Sequence, residues 1–197
     1  MADIDAVTVS RTLCEAFQMT VREAADQPVL DGDAELTWAR CAVRVERIAA
    51  GLAALGVHHG DVVALLLNDR PERHLVAAAA MHLGAPTLPL RSATGLMNAG
   101  ASVVVTEVRL LDDVLDAQAA GSPVAEVVLV EGCDERAIPL AELESSRPAG
   151  FEFAARWQAV QPGDRLTVGM THDEALERLR AGAALDPSPL LGSQLRV

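Results

Sequence analysis

Apolar residues recur at Leu13, Phe17, Val21 and Ala24, a spacing that lays one buried stripe along a helix over 10–25. Pro28-Val-Leu30, the turn pair Asp31-Gly32 and Glu35-Leu-Thr-Trp38 then read as a short hairpin, because Asp-Gly tolerates the positive φ that such turns require. Thr37 is placed to cap a second helix with Cys41, Val45, Ile48, Leu52 and Leu55 on one face and Gly56 at its end in the left-handed cap conformation. Beyond the turn His58-His-Gly-Asp61 the period changes. Val62-Val-Ala-Leu-Leu-Leu67 is apolar at every position, the pattern of a strand covered on both faces in a parallel sheet. Pro71 opens a further helix and Gly84 follows its end; strands are predicted at 86–90, 102–106 and 125–130, with a helix over 107–119 between the last two.

Strand, helix, strand in this order predicts an α/β fold with a mostly parallel sheet and flanking helices. One link is crowded. Only eleven residues separate Leu90 from Ser102, against the dozen or more that a parallel crossover through a helix requires, which points to a missing piece. Further on come Ile138–Leu143, the loop Ser145-Ser-Arg-Pro-Ala-Gly150, and Trp157–Val168, read as a surface segment leading into another strand. From Gly169 the pattern changes. Thr171-His-Asp-Glu174 reads as a capping box for a short helix to about Ala181, and Asp186-Pro-Ser-Pro-Leu-Leu-Gly192 reads as a frayed tail. The domain reading is therefore 10–168 for the main unit and 169–197 for a divergent, partly disordered tail.

Composition narrows the chemistry. The chain has 197 residues, half of them apolar, enough for a sizeable core. Its net charge of −12, with no cluster of basic residues, argues against nucleic acid or anionic lipid as a partner. The uncharged stretch Leu75–Leu90 is too short to span a bilayer and is broken by His82, Gly84, Pro86 and Pro89. Met1-Ala-Asp-Ile-Asp5 lacks the basic start of a signal peptide, so the cytoplasm is the expected location. Cys14, Cys41 and Cys133 are widely spaced and odd in number, which fits reduced, mostly buried thiols rather than disulfides or a zinc site. All sixteen basic residues are arginine, and there is no tyrosine. Without lysine the chain cannot form a Schiff base or supply a Walker lysine, and arginine is a poor proton shuttle. An arginine-for-lysine bias across a GC-rich genome would produce the same composition with no functional meaning.

Read in order, the first helix, the hairpin ending Leu36-Thr-Trp38, the helix ending Leu52-Ala-Ala-Leu-Gly-Val57, Gly60-Asp61-Val-Val-Ala-Leu-Leu-Leu67-Asn68-Asp-Arg-Pro-Glu72, Ala80-Met-His-Leu-Gly-Ala-Pro86, Leu88-Pro-Leu90, Ala99–Glu107 and Trp157–Val168 with Pro162-Gly-Asp164 form a series. Over about residues 10–168 it resembles the opening of the adenylate-forming superfamily, and the fatty-acyl-CoA ligase branch most of all. That resemblance implies the incomplete N-terminal subdomain of an acyl-CoA synthetase followed by a short helical tail. For the family it implies activation of a fatty acid with ATP and magnesium to an acyl-AMP, then transfer to CoA. It also implies that the strand at Arg165–Val168 should lead into a Ser/Thr/Gly-rich loop ending in Pro-Lys-Gly that cradles the ATP phosphates. Here the chain reads Leu166-Thr-Val-Gly-Met-Thr-His172 instead, and Gly169-Met-Thr-His172 is similar to a Thr-His element that follows the loop in the family, as though the loop had been excised. The adenine contacts, the magnesium-linked glutamate and the catalytic lysine of the family have no counterpart in the sequence, so no catalytic, cofactor-binding or metal-binding residue is carried over and no cofactor is expected for this chain.

Residue clusters outside that series carry little chemistry. Gly95-Leu-Met-Asn-Ala-Gly100-Ala-Ser102 has Walker-like glycine spacing, but Ala101 stands at the lysine position and a strand follows instead of a helix. His58, His59 and Asp61 are better explained by a solvated turn than by metal ligation. His74 and His82, two turns apart, read as packing or surface histidines; Asp112, Asp113 and Asp116 as a solvated helix face; Ser145 and Ser146 as loop residues without a nucleophile elbow. Three functions are consistent with these readings: a fatty-acid-CoA ligase-like chain inactive by itself, an interaction module that complements a separately encoded remainder of the ligase or pairs with an intact relative, and a nucleotide-binding domain with no synthetic role. An incomplete sheet predicts an exposed edge and an apolar patch if nothing covers it.

Overall fold

The computed structural model describes residues 9–30 and 33–181, so the Asp31-Gly32 turn and the 186–192 stretch lie outside the described residues. Helix α1 (Leu13–Glu23) is capped by Thr12, whose hydroxyl accepts from the Glu15 N–H. The strands β1 (Pro28–Leu30) and β2 (Asp33–Thr37) pair antiparallel, as the hairpin pattern predicts. Thr37 then caps α2 (Trp38–Ala54), its Oγ1 accepting from the Arg40 N–H. Gly56 follows at φ +86°, a conformation that a side chain would strain.

β3 (Val62–Leu66) is the axis of the main sheet, followed by α3 (Pro71–His82) with Pro71 at its first turn. β3 is flanked by β4 (Thr87–Pro89) on one side and β5 (Ala101–Thr106) on the other, both parallel to it. The chain crosses from β4 to β5 through a single 3₁₀ helix, Ala93–Asn98. The crossover predicted to be crowded is thus made without an α-helix, because eleven residues leave length for little more than two tight turns. A second 3₁₀ turn, Val108–Leu110, takes the first residues of the predicted 107–119 helix, and α4 proper runs Leu111–Ala119. β6 (Glu126–Leu129), β7 (Ile138–Pro139) and α5 (Leu140–Leu143) follow.

α6 (Phe153–Ala159), which no sequence pattern announces, overlaps the start of the Trp157–Val168 surface segment and is held by Phe153, which stacks on His82 with ring centroids 5.2 Å apart. β8 (Arg165–Thr167) turns at once into β9 (Met170–Thr171), antiparallel to it, and α7 (His172–Arg180) closes the described chain. The Glu174 carboxylate accepts from the Thr171 N–H at 2.9 Å, the reciprocal arm of the predicted capping box. The seven strands run in the order β7-β6-β5-β3-β4-β8-β9 and are parallel except for β9. This is the mixed α/β architecture that the strand and helix pattern predicts.

Both sheet faces are covered, which is why β3 and β5 are apolar at nearly every position. Val63, Leu65, Val103 and Val105 face one layer with Leu13, Phe17, Ile48, Leu52, Leu75 and Met81. Ala64, Leu66 and Val104 face the other, thinner layer with Leu96, Leu111 and Val114. Ala175, Leu176 and Leu179 of α7 are buried in the first layer, so the chain beyond Gly169 is packed into the same core as far as Arg180. The edges are short: β7 and β9 have two residues each, and Pro139 withdraws a donor from the first. The exposed large apolar side chains among the described residues, Val9, Val43, Met97, Val108 and Val168, are spread over five segments of the chain. Among the described residues the main sheet thus ends in two short edges.

Candidate functional site

The chain leaves β3, builds β4 on one flank, and crosses back to build β5 on the other. Strand order reverses at β3, and in open α/β sheets the crevice at the carboxyl ends of strands beside such a reversal is where ligands bind. A crevice of about 620 Å³ lies there. Its floor is Leu66, Pro89 and Leu90, the last residues of β3 and β4 and their continuation; its polar wall is Asn68, Asp69, Arg73, Arg91 and Arg109.

Glu107, immediately after β5, organises this wall. It is 3% exposed. Its Oε1 accepts from the Asn68 N–H at 2.9 Å and its Oε2 accepts from Arg109 Nε at 2.6 Å. Burial opposes ionisation of Glu107, but the Asn68 N–H and the Arg109 guanidinium outweigh it and hold the carboxyl below the usual carboxylate range. The loops after β3 and β5 are thereby tied together across the crevice. Arg70 is committed elsewhere, to Glu72 at 2.8 Å and Glu131 at 3.0 Å. Arg73 differs: its Nε is buried with no hydrogen-bond partner, a donor that an anion in the crevice would satisfy. An arginine wall with an orphan donor fits a phosphate or carboxylate on a small molecule.

His74, a candidate in the sequence, stands behind the crevice: its Nε2 pairs with Asp69 Oδ1 at 2.9 Å, and burial still holds its pKa below the ordinary value against the pull of Asp69. His82 is far from that role, buried between α1 and α6 at the other end of the same helix. His59 Nε2 pairs with Asp164 Oδ2 at 2.8 Å, while Asp61 accepts from the His58 N–H at 2.8 Å and lies 3.6 Å from the His58 ring; the two histidines thus take different carboxylates, and no trio of metal-competent side chains occurs among the described residues. Gly95 and Gly100 belong to the 3₁₀ crossover and the entry to β5, with no helix following. Asp112, Asp113 and Asp116 are exposed on α4, and Asp112 pairs with Arg136 at 3.1 Å. The Ser145 and Ser146 hydroxyls donate back to the carbonyls of Ala141 and Glu142. Cys14 and Cys41 are buried free thiols, and burial pushes the Cys41 pKa up to about 12; Cys133 is free but exposed, unlike the other two. The arginines of the crevice were not singled out by any motif.

The β8–β9 connection has its own geometry. Thr167 pairs with Met170, leaving Val168 and Gly169 as the whole turn, with the Gly169 N–H donating to Thr167 Oγ1 at 3.3 Å. A two-residue turn offers no succession of free amides with which to enclose a triphosphate.

Comparison with known proteins agrees with the mixed α/β fold. An uncharacterized protein of Mycobacterium tuberculosis is 39% identical over 131 residues, covering 61% of this chain and 73% of that protein. The 4-coumarate–CoA ligase 4 of Arabidopsis thaliana is 50% identical over 50 residues, 25% of this chain but 9% of the ligase. Among solved structures, a long-chain-fatty-acid-CoA ligase of Archaeoglobus fulgidus superposes with a TM-score of 0.69 at 16% identity, covering 88% of this chain and 40% of that one. The chain thus spans well under half of the full-length ligases it matches. The sequence pattern of the AMP-binding enzyme family matches residues 17–169, and the chain belongs to that family.

Proposed function

We propose that this chain is a fatty-acid-CoA ligase-like protein that does not activate a carboxylic acid by itself. The β8–β9 turn carries this reading: where the family resemblance calls for a phosphate-cradling loop, Val168 and Gly169 close a hairpin, and the sequence contains no lysine to serve adenylation. ATP, magnesium and CoA, which the family uses together, are accordingly not cofactors of this chain acting alone. The purified chain should show no carboxylate-dependent exchange of pyrophosphate into ATP across a panel of fatty acids; robust exchange would sink the proposal. Three unpaired cysteines favour a reducing, cytoplasmic setting.

An interaction role with a separately made ligase remainder is the alternative. Co-expression with such a partner should then yield a co-eluting complex, and a monomer indifferent to it would count against the idea. The arginine wall supports a third reading, retained binding of a phosphorylated small molecule without synthesis. Titration calorimetry with ATP, AMP and CoA tests it: heat that Arg73→Ala abolishes supports binding in the crevice, and no heat with any of the three removes it.

A further inference from the structure

Two histidines outside the crevice are fully buried, His82 at the end of α3 and His172 at the start of α7. Both touch α1. His82 Nδ1 lies 2.7 Å from the Ala78 carbonyl, which only accepts, so Nδ1 carries the proton and the bare Nε2 accepts from the Gln18 side-chain amide at 3.1 Å. His172 Nδ1 accepts from the Leu13 N–H at 3.3 Å, one of the first-turn amides of α1 that no helical carbonyl reaches. Its Nε2 is buried with no partner among the described residues. Arg180, at the other end of α7, donates to the Ser10 carbonyl at 2.9 Å. The helix is therefore held at its start and its middle by two neutral imidazoles acting as acceptors.

We propose that His82 and His172 form an acid-released clamp on α1: protonation of either ring removes an acceptor from the helix, and α1 with α7 opens while the sheet stays folded. α1 contributes no hydrogen bonds to the parallel ladder, so the strand pairing does not depend on it, although its release exposes Leu13 and Phe17 from the core. Asp164 and Asp173 face His172 and favour its charged form, whereas His59 opposes it; Asp164 is itself held by the Gln161 N–H and His59. His82 faces His172, which opposes its charging, and is otherwise enclosed by Phe17 and Phe153, with ring centroids 4.9 and 5.2 Å away. Desolvation dominates at both sites and depresses both pKa values to about 4.

The sign follows. Neutral in the closed state and titrating normally in the open one, each histidine favours closure above pH 6.5 and loses that contribution as the pH falls towards 4. Between pH 7 and 5 this amounts to about a twentyfold rise in opening for each ring.

Hydrogen–deuterium exchange of the full chain, corrected for intrinsic exchange rates, tests the clamp. Protection across Leu13–Glu23 and His172–Arg180 should fall about twentyfold or more between pH 7 and 5 while β3 and β5 keep theirs. His172→Asn leaves an amide oxygen near the Nδ1 position that cannot be protonated, and should flatten part of that fall. A pH-independent profile, simultaneous loss of sheet protection, or an unchanged pH response in His172→Asn would each overturn the proposal. If that variant does not fold at pH 7, His82→Gln makes the same comparison, and the unmodified chain alone decides whether α1 opens apart from the sheet.

Discussion

Gly51 lies inside α2, where alanine would ordinarily be the better helix former by about 1 kcal/mol. Here a Cβ would overlap the backbone carbonyl and side chain of Leu143 at the end of α5, so packing opposes propensity. Backbone cannot retreat as a side-chain tip can. Gly51→Ala should therefore destabilise the chain by about 1–3 kcal/mol, read as a lower urea midpoint at unchanged m-value. Glu107 makes the complementary case in polar chemistry. Glu107→Ala removes the acceptor for the Asn68 N–H and the partner of Arg109, and should cost about 2–3 kcal/mol. Glu107→Gln retains a neutral acceptor for Asn68 and should lose less, so the difference between the two variants in chemical denaturation separates the hydrogen bond from the charge.

Elements differ in how well their sequences announce them. α2 and β3 were legible, because seventeen residues of helical period and a fully apolar run of five leave little ambiguity. α6 was not: it has seven residues and depends on Phe153 reaching His82, a contact between segments far apart in the chain. β9 has two residues, below the length at which alternation can be seen, and exists because β8 is there to pair with it. The crevice was illegible for a related reason. Arg73, Arg91 and Arg109 belong to no motif; each follows the end of a different strand, and only the sheet brings them together. Arginine recurring just after successive apolar runs was the available signal. α7 shows the opposite lesson, since its pattern was readable but its attachment was not. Leu179 is 2% exposed in the main core, so Leu179→Ala should cost about 2–4 kcal/mol, whereas a detached helix would lose almost nothing; thermal denaturation distinguishes them.

At the scale of the molecule, the absence of lysine gains its meaning from topology rather than from composition. Arginine bias could remove lysines without touching function, but it has no bearing on the two-residue turn between β8 and β9 or on the crossover from β4 to β5 without an α-helix. Both connections are short, and the sheet ends in two-residue strands at either side. Short, proline-blunted edges offer a neighbouring chain few free amides, and scattered apolar side chains give a dye no continuous surface. A sheet with both faces buried and both edges blunted should unfold as one unit at neutral pH. Far-ultraviolet circular dichroism and tryptophan fluorescence should then report a single coincident thermal transition, with Trp38 sensing the main core and Trp157 the α6 region. Separate transitions at the two probes, or strong binding of a hydrophobic dye below the melting temperature, would mean that the sheet needs a covering partner, and would favour the complementing role over a self-sufficient domain.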